Sequence, residues 1–125
     1  MLAAEPLACQ RVVADAAAID ALTGALPAQA SVLRFAPDEA LIIGAASIHL
    51  DDPHAIIVDE AGFVAGPVDP EVVSRHAEWP LAGERGSFAQ GAIAGVPAKL
   101  ASTGDGHALV IVHAAYAEEL LERLR

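Results

Sequence analysis

The residues best equipped for chemistry lie in the stretch Ser47–His54, where His49, Asp51, Asp52 and His54 fall within six positions. Imidazole nitrogens and carboxylate oxygens both ligate divalent metals. The H-x4-H spacing, however, matches no dedicated metal motif, and Asp-Asp-Pro is ordinary loop chemistry, in which short carboxylates bond to nearby backbone. The stretch therefore reads as a solvated loop. His76, His107 and His113 are spread over one predicted helix and the two ends of one predicted strand, and no serine or cysteine stands in a G-x-S-x-G elbow. No catalytic triad follows from them. Cys9, the only cysteine, reads as a small buried hydrophobe and not as a nucleophile. Gly91–Gly95 spells only G-A-I-A-G, without the spacing of a dinucleotide fingerprint and within a predicted strand. Trp79, just after a predicted helix, is either a plug of the core or an anchor for a partner, with the core favoured. The sequence thus assigns no catalytic residue and no metal ligand.

The elements that must position these residues are clearer. Cys9–Val13 reads as a short strand. Asp15–Leu26 reads as a helix, with Ile19, Leu22 and Leu26 recurring at three and four and the Asp15 carboxylate placed to cap the first turn. Residues 31–35 and 40–44 form a hairpin around Ala36-Pro37-Asp38-Glu39, where proline presets φ for a turn. An apolar strand starts at Ala55 and continues toward Val64, with Gly62 as a bulge.

Asp69-Pro70-Glu71 is a helix start, with Asp as N-cap, Pro in the first turn and Glu at the positive end of the helix dipole. Val72, Val73, His76 and Ala77 share the face of that helix, and Pro80 ends it. Two strands near 88–94 and 96–101 are broken by Gly95 and Pro97, and Thr103–Gly106 is a tight turn. His107–Val112 lacks alternation and so predicts a central strand covered on both faces. Ala114–Leu124 puts Ala117, Leu120, Leu121 and Leu124 on one stripe, with Glu119 and Arg123 as an i,i+4 pair. Hairpins and helices in this order predict an α+β fold, a mostly antiparallel sheet with helices packed on one face.

Composition bounds the function. The 125 residues fit a single domain over 1–125, and 54% hydrophobic against 19% charged residues can build a core. With aromatics at 4%, that core is aliphatic. A net charge of −10 argues against nucleic acid, whose affinity comes from Lys and Arg neutralising phosphates, and against an anionic membrane surface. No window approaches the about 18 apolar residues of a membrane span. Pro6-Leu7-Ala8-Cys9 lacks the basic and apolar regions that precede a lipoprotein cleavage site. A lone cysteine excludes an internal disulfide and fits a reducing, cytoplasmic setting. The absence of Asn and the single Lys fit a GC-rich bacterial genome.

Several runs together resemble one family. These are Gly66-Pro67-x4-Val72-Val73 closing at Leu81, Gly91 with Ala94-Gly95-Val96-Pro97, and His113-x-x-Tyr116-Ala117-x3-Leu120-x3-Leu124. With Arg34-Phe35-x-Pro37-Asp38-Glu39-x-Leu41 and Asp59, they resemble the gamma subunit of heterotetrameric sarcosine oxidase over residues 31–125. That family is related in fold to the folate-binding domain of the glycine-cleavage T protein. Ala61 stands where the family has the serine of a D-x-S motif, and a helical insertion between Gly44 and Ala55 is missing, which weakens transfer of a folate site. The resemblance implies a folate-binding-type fold in a non-catalytic accessory or structural role. It implies no flavin or other cofactor on this chain, and a protein partner that is either the flavoprotein subunits of an amine oxidoreductase or a second copy. The alternative it leaves open is a small-molecule, folate-like binding module.

Overall fold

The computed structural model describes residues 5–45, 47–77, 88–102 and 106–125. Trp79, the expected helix end at Pro80, the family match at Leu81 and the tip of the Thr103–Gly106 turn lie outside them. The fold is α+β, and every strand pairing is antiparallel. Spatially the chain divides into two compact units, Ala8–Ala61 and a second formed by Met1–Leu7 with Gly62–Arg125.

The Ala8–Ala61 unit is a four-stranded sheet with one helix. β2 (Cys9–Val13), β3 (Ser31–Ala36), β4 (Glu39–Ile43) and β5 (Ile56–Glu60) lie in the order β3-β4-β2-β5. Helix α1 (Ala16–Ala25) packs Ala18, Ile19 and Leu22 on Val12, Ala40 and Ile42. The Asp15 carboxylate makes no cap, contrary to its expected role. Its carbonyl instead accepts the first helical N–H groups, from Ala18 and Ile19, while its own N–H is donated to Asp52 Oδ2 at 2.8 Å. The expected hairpin forms, with a register shift between Arg34 and Ala36 that lets the chain round Pro37.

The other unit is a five-stranded sheet in the order β1-β6-β9-β8-β7. Its strands are β1 (Glu5–Pro6), β6 (Phe63–Val68), β7 (Phe88–Ile93), β8 (Val96–Ser102) and β9 (Ala108–His113). As its unbroken apolar run predicts, β9 is central and buried on both faces, Val110 at 1% and Ile111 at 0% exposure. Helix α2 (Pro70–Ser74) begins as read, with Asp69 Oδ1 accepting from the Glu71 N–H at 2.9 Å. It is shorter than expected, ending at Ser74, so that only Val73 of the predicted face is fully buried. Helix α3 (Ala114–Arg123) seats Leu120, with Ala117 and Leu124 beside it, on Val64, Val110 and Val112. In each sheet the helices occupy one face.

Two further expectations are corrected. The stretch from Ala55 to Val64 is not one bulged strand: β5 ends at Glu60 and β6 begins at Phe63 in a different sheet. At Gly62, between them, a Cβ would lie only 3.0 Å from His113 Nε2, so the imidazole would have to give way to a larger residue. Pro97 does not break its strand either. It lies inside β8 opposite Ala92, next to the Ile93–Val96 pair that brackets the Ala94-Gly95 turn. In a hairpin closed by such a turn the bracketing pair is hydrogen-bonded, so the next residue directs its nitrogen away from β7. Pairing to β9 starts only at Lys99, so the missing N–H leaves no partner wanting.

Candidate functional site

Two groups among the residues that carry the family resemblance do different work. The first is structural. Arg34 projects from β3, and its guanidinium donates to the Ala16 carbonyl at 3.0 Å, to the Pro37 carbonyl at 2.6 Å and to the Asp20 carboxylate. One side chain thus ties the hairpin turn to helix α1. Glu39 is paired with Arg11 of β2. Asp59, on the outer strand β5, accepts from Gln10 Nε2 at 3.1 Å. The R-F-x-P-D-E run therefore fastens its own unit together.

The second group converges on a cleft. Gly91, Pro97, His113 and Tyr116, far apart in sequence, line an open concavity of about 520 Å³ together with Phe63 and Lys99. His113 is the last residue of β9, and Tyr116 stands in the first turn of α3. The Phe63 and His113 rings meet edge to face with centroids 5.8 Å apart, and His113 meets Tyr116 the same way at 6.4 Å. Lys99, the only lysine of the chain, holds Nζ 4.9 Å from the centre of the Phe63 ring, a cation–π distance. Gly62 matters again here, because its missing side chain leaves the room that the His113 imidazole occupies.

The titratable side chains that line this cleft are His113, Tyr116 and Lys99. No carboxylate, hydroxyl nucleophile or thiol lines it apart from the Tyr116 phenol. Aromatic edges, aliphatic walls and one ammonium suit an apolar or anionic group held in place. The other sequence candidates do not join it. His76 is half-buried beyond α2, where its carbonyl accepts the Ala94 N–H at 2.7 Å, and His107 is exposed ahead of β9.

The His49–His54 loop is built for structure. Asp52 Oδ1 accepts the His54 N–H at 2.9 Å, and Oδ2 accepts the Asp15 N–H that opens helix α1. These two N–H groups, Asp15 first, hold the Asp52 carboxyl below its ordinary value. Among the described residues no three His, Cys, Asp or Glu side chains gather closely enough to hold a metal. Cys9 is 7% exposed, and burial, followed by the Glu60 charge, pushes its thiol up, away from nucleophilic thiolate.

Sequence reasoning missed Phe63 and Lys99, and it missed the exposed strand β5. A signal existed for both. A lone lysine within an apolar strand is out of place, and Ile56-Ile57-Val58 has no polar alternation to mark a solvent face.

No family model matches the chain, and no curated protein sequence does. Among solved structures it is similar to a chain of heterotetrameric sarcosine oxidase from Corynebacterium sp. U-96 in complex with pyrrole 2-carboxylate. The TM-score is 0.71, with 17% identity, 98% of this chain and 81% of the other covered. At that identity the likeness is one of fold. No helix among the described residues is long and apolar enough to cross a membrane.

Proposed function

We propose that this chain is a non-catalytic accessory subunit that packs against the larger, flavin-bearing subunits of an amine oxidoreductase in the cytoplasm and holds no flavin itself. The observation that carries the reading is the fold likeness over 98% of the chain to a component of a heterotetrameric oxidase. The site chemistry agrees with it: the cleft has no carboxylate or thiol among its lining residues, and Gly91–Gly95 forms a strand and hairpin turn instead of a phosphate loop. The test is purification of the chain, tagged, from its native cells. It is expected to elute with larger subunits carrying flavin absorbance in fixed stoichiometry. Elution free of any flavoprotein, from cells that make the larger subunits, overturns the reading.

A second reading rests on the cleft itself, whose volume lies within the usual range of ligand pockets. A folate-like molecule, with an aromatic ring for Phe63 and Tyr116 and a carboxylate for Lys99, would fit its chemistry. Reduced folate at about 100 times its dissociation constant stabilises a binder by about 2.7 kcal/mol. A melting temperature unmoved by such an excess removes this reading, and a rise abolished by Lys99→Met supports it.

A further inference from the structure

A groove of about 630 Å³ lies between α3 and the segment that runs from Pro67 into helix α2. Its apolar lining is Pro67, Val68, Val72, Leu121 and Leu124. Val68 and Leu124 pack on the buried core of their unit, which anchors the floor. Val72 and Leu121 are not among the side chains packed on that core, although their spacing assigns both to core-facing stripes. Both are half-buried and line the groove instead.

The other lining residues are charged: Asp69, Glu118 and Glu122 against the single guanidinium of Arg125. Among the described residues none of the three carboxylates stands in an ion pair, and the neighbouring Arg123 is committed to Glu119 and to the Ala94 carbonyl. Glu118 and Glu122 are four apart on α3, the spacing at which like charges repel. Glu122 also lies in the last turn, where the helix dipole is already negative. Both choices cost the helix stability, and a cation brought into the groove relieves both.

We infer that this groove docks an amphipathic segment of a protein partner, with aliphatic side chains seated on Val72 and Leu121 and Lys or Arg beside Glu118 and Glu122. Charge selects this occupant. Around α3 the order is Leu124, Leu121 and then Glu118 with Glu122, so an entering segment meets an apolar row beside an acidic one, the complement of a basic amphipathic helix. No aromatic side chain lines the groove, so it is no cage for a small quaternary ammonium ligand. Three carboxylates against one guanidinium repel an anionic ligand or an anionic lipid surface. The inference asks only for a partner with such a segment, whether or not that partner carries flavin.

Fluorescence anisotropy on the full chain tests it, with a labelled synthetic peptide whose leucines at i, i+3, i+4 and i+7 form one face and whose lysines flank them. Binding is expected, weakening at least about fivefold between about 50 and about 300 mM salt. The same peptide with glutamates in place of lysines is expected not to bind. Glu118→Lys with Glu122→Lys, both exposed, is expected to lower affinity at least about 30-fold. Asp38→Lys with Asp51→Lys, an equal change of net charge in the Ala8–Ala61 unit, is expected to lower it less than about threefold. Leu121→Gln is expected to lower it about 10-fold with the circular dichroism unchanged. Absence of binding by the lysine peptide overturns the inference. So does equal loss from the two charge reversals, or indifference to Leu121→Gln. A dimer of the chain alone in sedimentation velocity, dissolved by Glu118→Lys with Glu122→Lys, assigns the groove to a second copy and equally overturns it.

Discussion

The two units use the same device from opposite ends. In the four-stranded unit an arginine on the hairpin, Arg34, reaches the helix through the Ala16 carbonyl and Asp20. In the five-stranded unit an arginine on the helix, Arg123, reaches the hairpin through the Ala94 carbonyl and pairs with Glu119 on the way. Their turns differ in kind. The β3–β4 turn absorbs its geometry in a register shift before Pro37, whereas the β7–β8 turn holds Ala94 at φ 51° and Gly95 at φ 81°. Their outer strands differ more. The exposed positions of β7 are Gln90 and Ala92, with little apolar surface to offer, while β5 presents Ile56, Ile57 and Val58. Equivalent internal fastening therefore coexists with very different outer strands, one with small and polar exposed residues and one with large apolar ones.

The largest effects should come from the two cores, where the comparison predicts equality. Leu120→Ala in one unit and Ile19→Ala in the other, both fully buried, are each expected to cost about 3 kcal/mol in urea denaturation. A core that tolerates its substitution at under about 1 kcal/mol would break the symmetry.

The clamps should be unequal. Arg34 is 31% exposed and bonds two backbone carbonyls, whereas Arg123 is 46% exposed and its carboxylate partner Glu119 is 50% exposed. Arg34→Met is expected to cost about 1.5 kcal/mol and Arg123→Met less than about 1 kcal/mol by the same measurement.

The turns should then respond in opposite senses. Gly95→Ala forces a Cβ onto a left-handed residue and toward Arg123 Nη1 at 3.0 Å, at a cost of about 1 kcal/mol. Ala94→Gly releases a residue already held there and is expected to add about 0.5 kcal/mol. Thermal melts of the two variants check the pair.

The smallest effect is on pH dependence. The Asp15 N–H and then the His54 N–H hold the folded carboxyl of Asp52 below its ordinary value. Its contribution is therefore present above the unfolded value and is lost as pH falls through the folded one. Asp52→Asn should flatten the acid-side loss of stability below about pH 4, followed by urea midpoints across that range. An unchanged acid limb would remove Asp52 from the account of how α1 begins.

Local signals were legible where neighbouring residues decide the outcome. Asp69-Pro70-Glu71 started a helix as its capping chemistry dictates, Ala36–Glu39 turned a hairpin, and the unalternating run before His113 became the central strand. The failures share a cause. Whether Gly62 marks a bulge or a change of sheet depends on strand partners distant in sequence, β2 for β5 and β9 for β6. Whether Pro97 breaks a strand depends on which neighbour its nitrogen faces. The cleft was illegible for the same reason: Phe63, Lys99 and Tyr116 meet only through the β6–β9 and β8–β9 pairings.

The pairing at the base of the smaller unit bears on how such a chain can change. The Leu7 N–H is donated to the Phe63 carbonyl at 3.0 Å, and just beyond, Cys9 stands opposite Glu60. The chain thus leaves the five-stranded unit and returns to it at adjoining points, one strand spacing of about 5 Å apart. From the viewpoint of the five-stranded sheet, Ala8–Ala61 is a single excursion whose closure is settled by local hydrogen bonds, whatever its length. Residues can be gained or lost around the His49–His54 loop without shifting the register of β6, β9 or β8. The cleft keeps its geometry while the excursion that carries β5 is free to diversify.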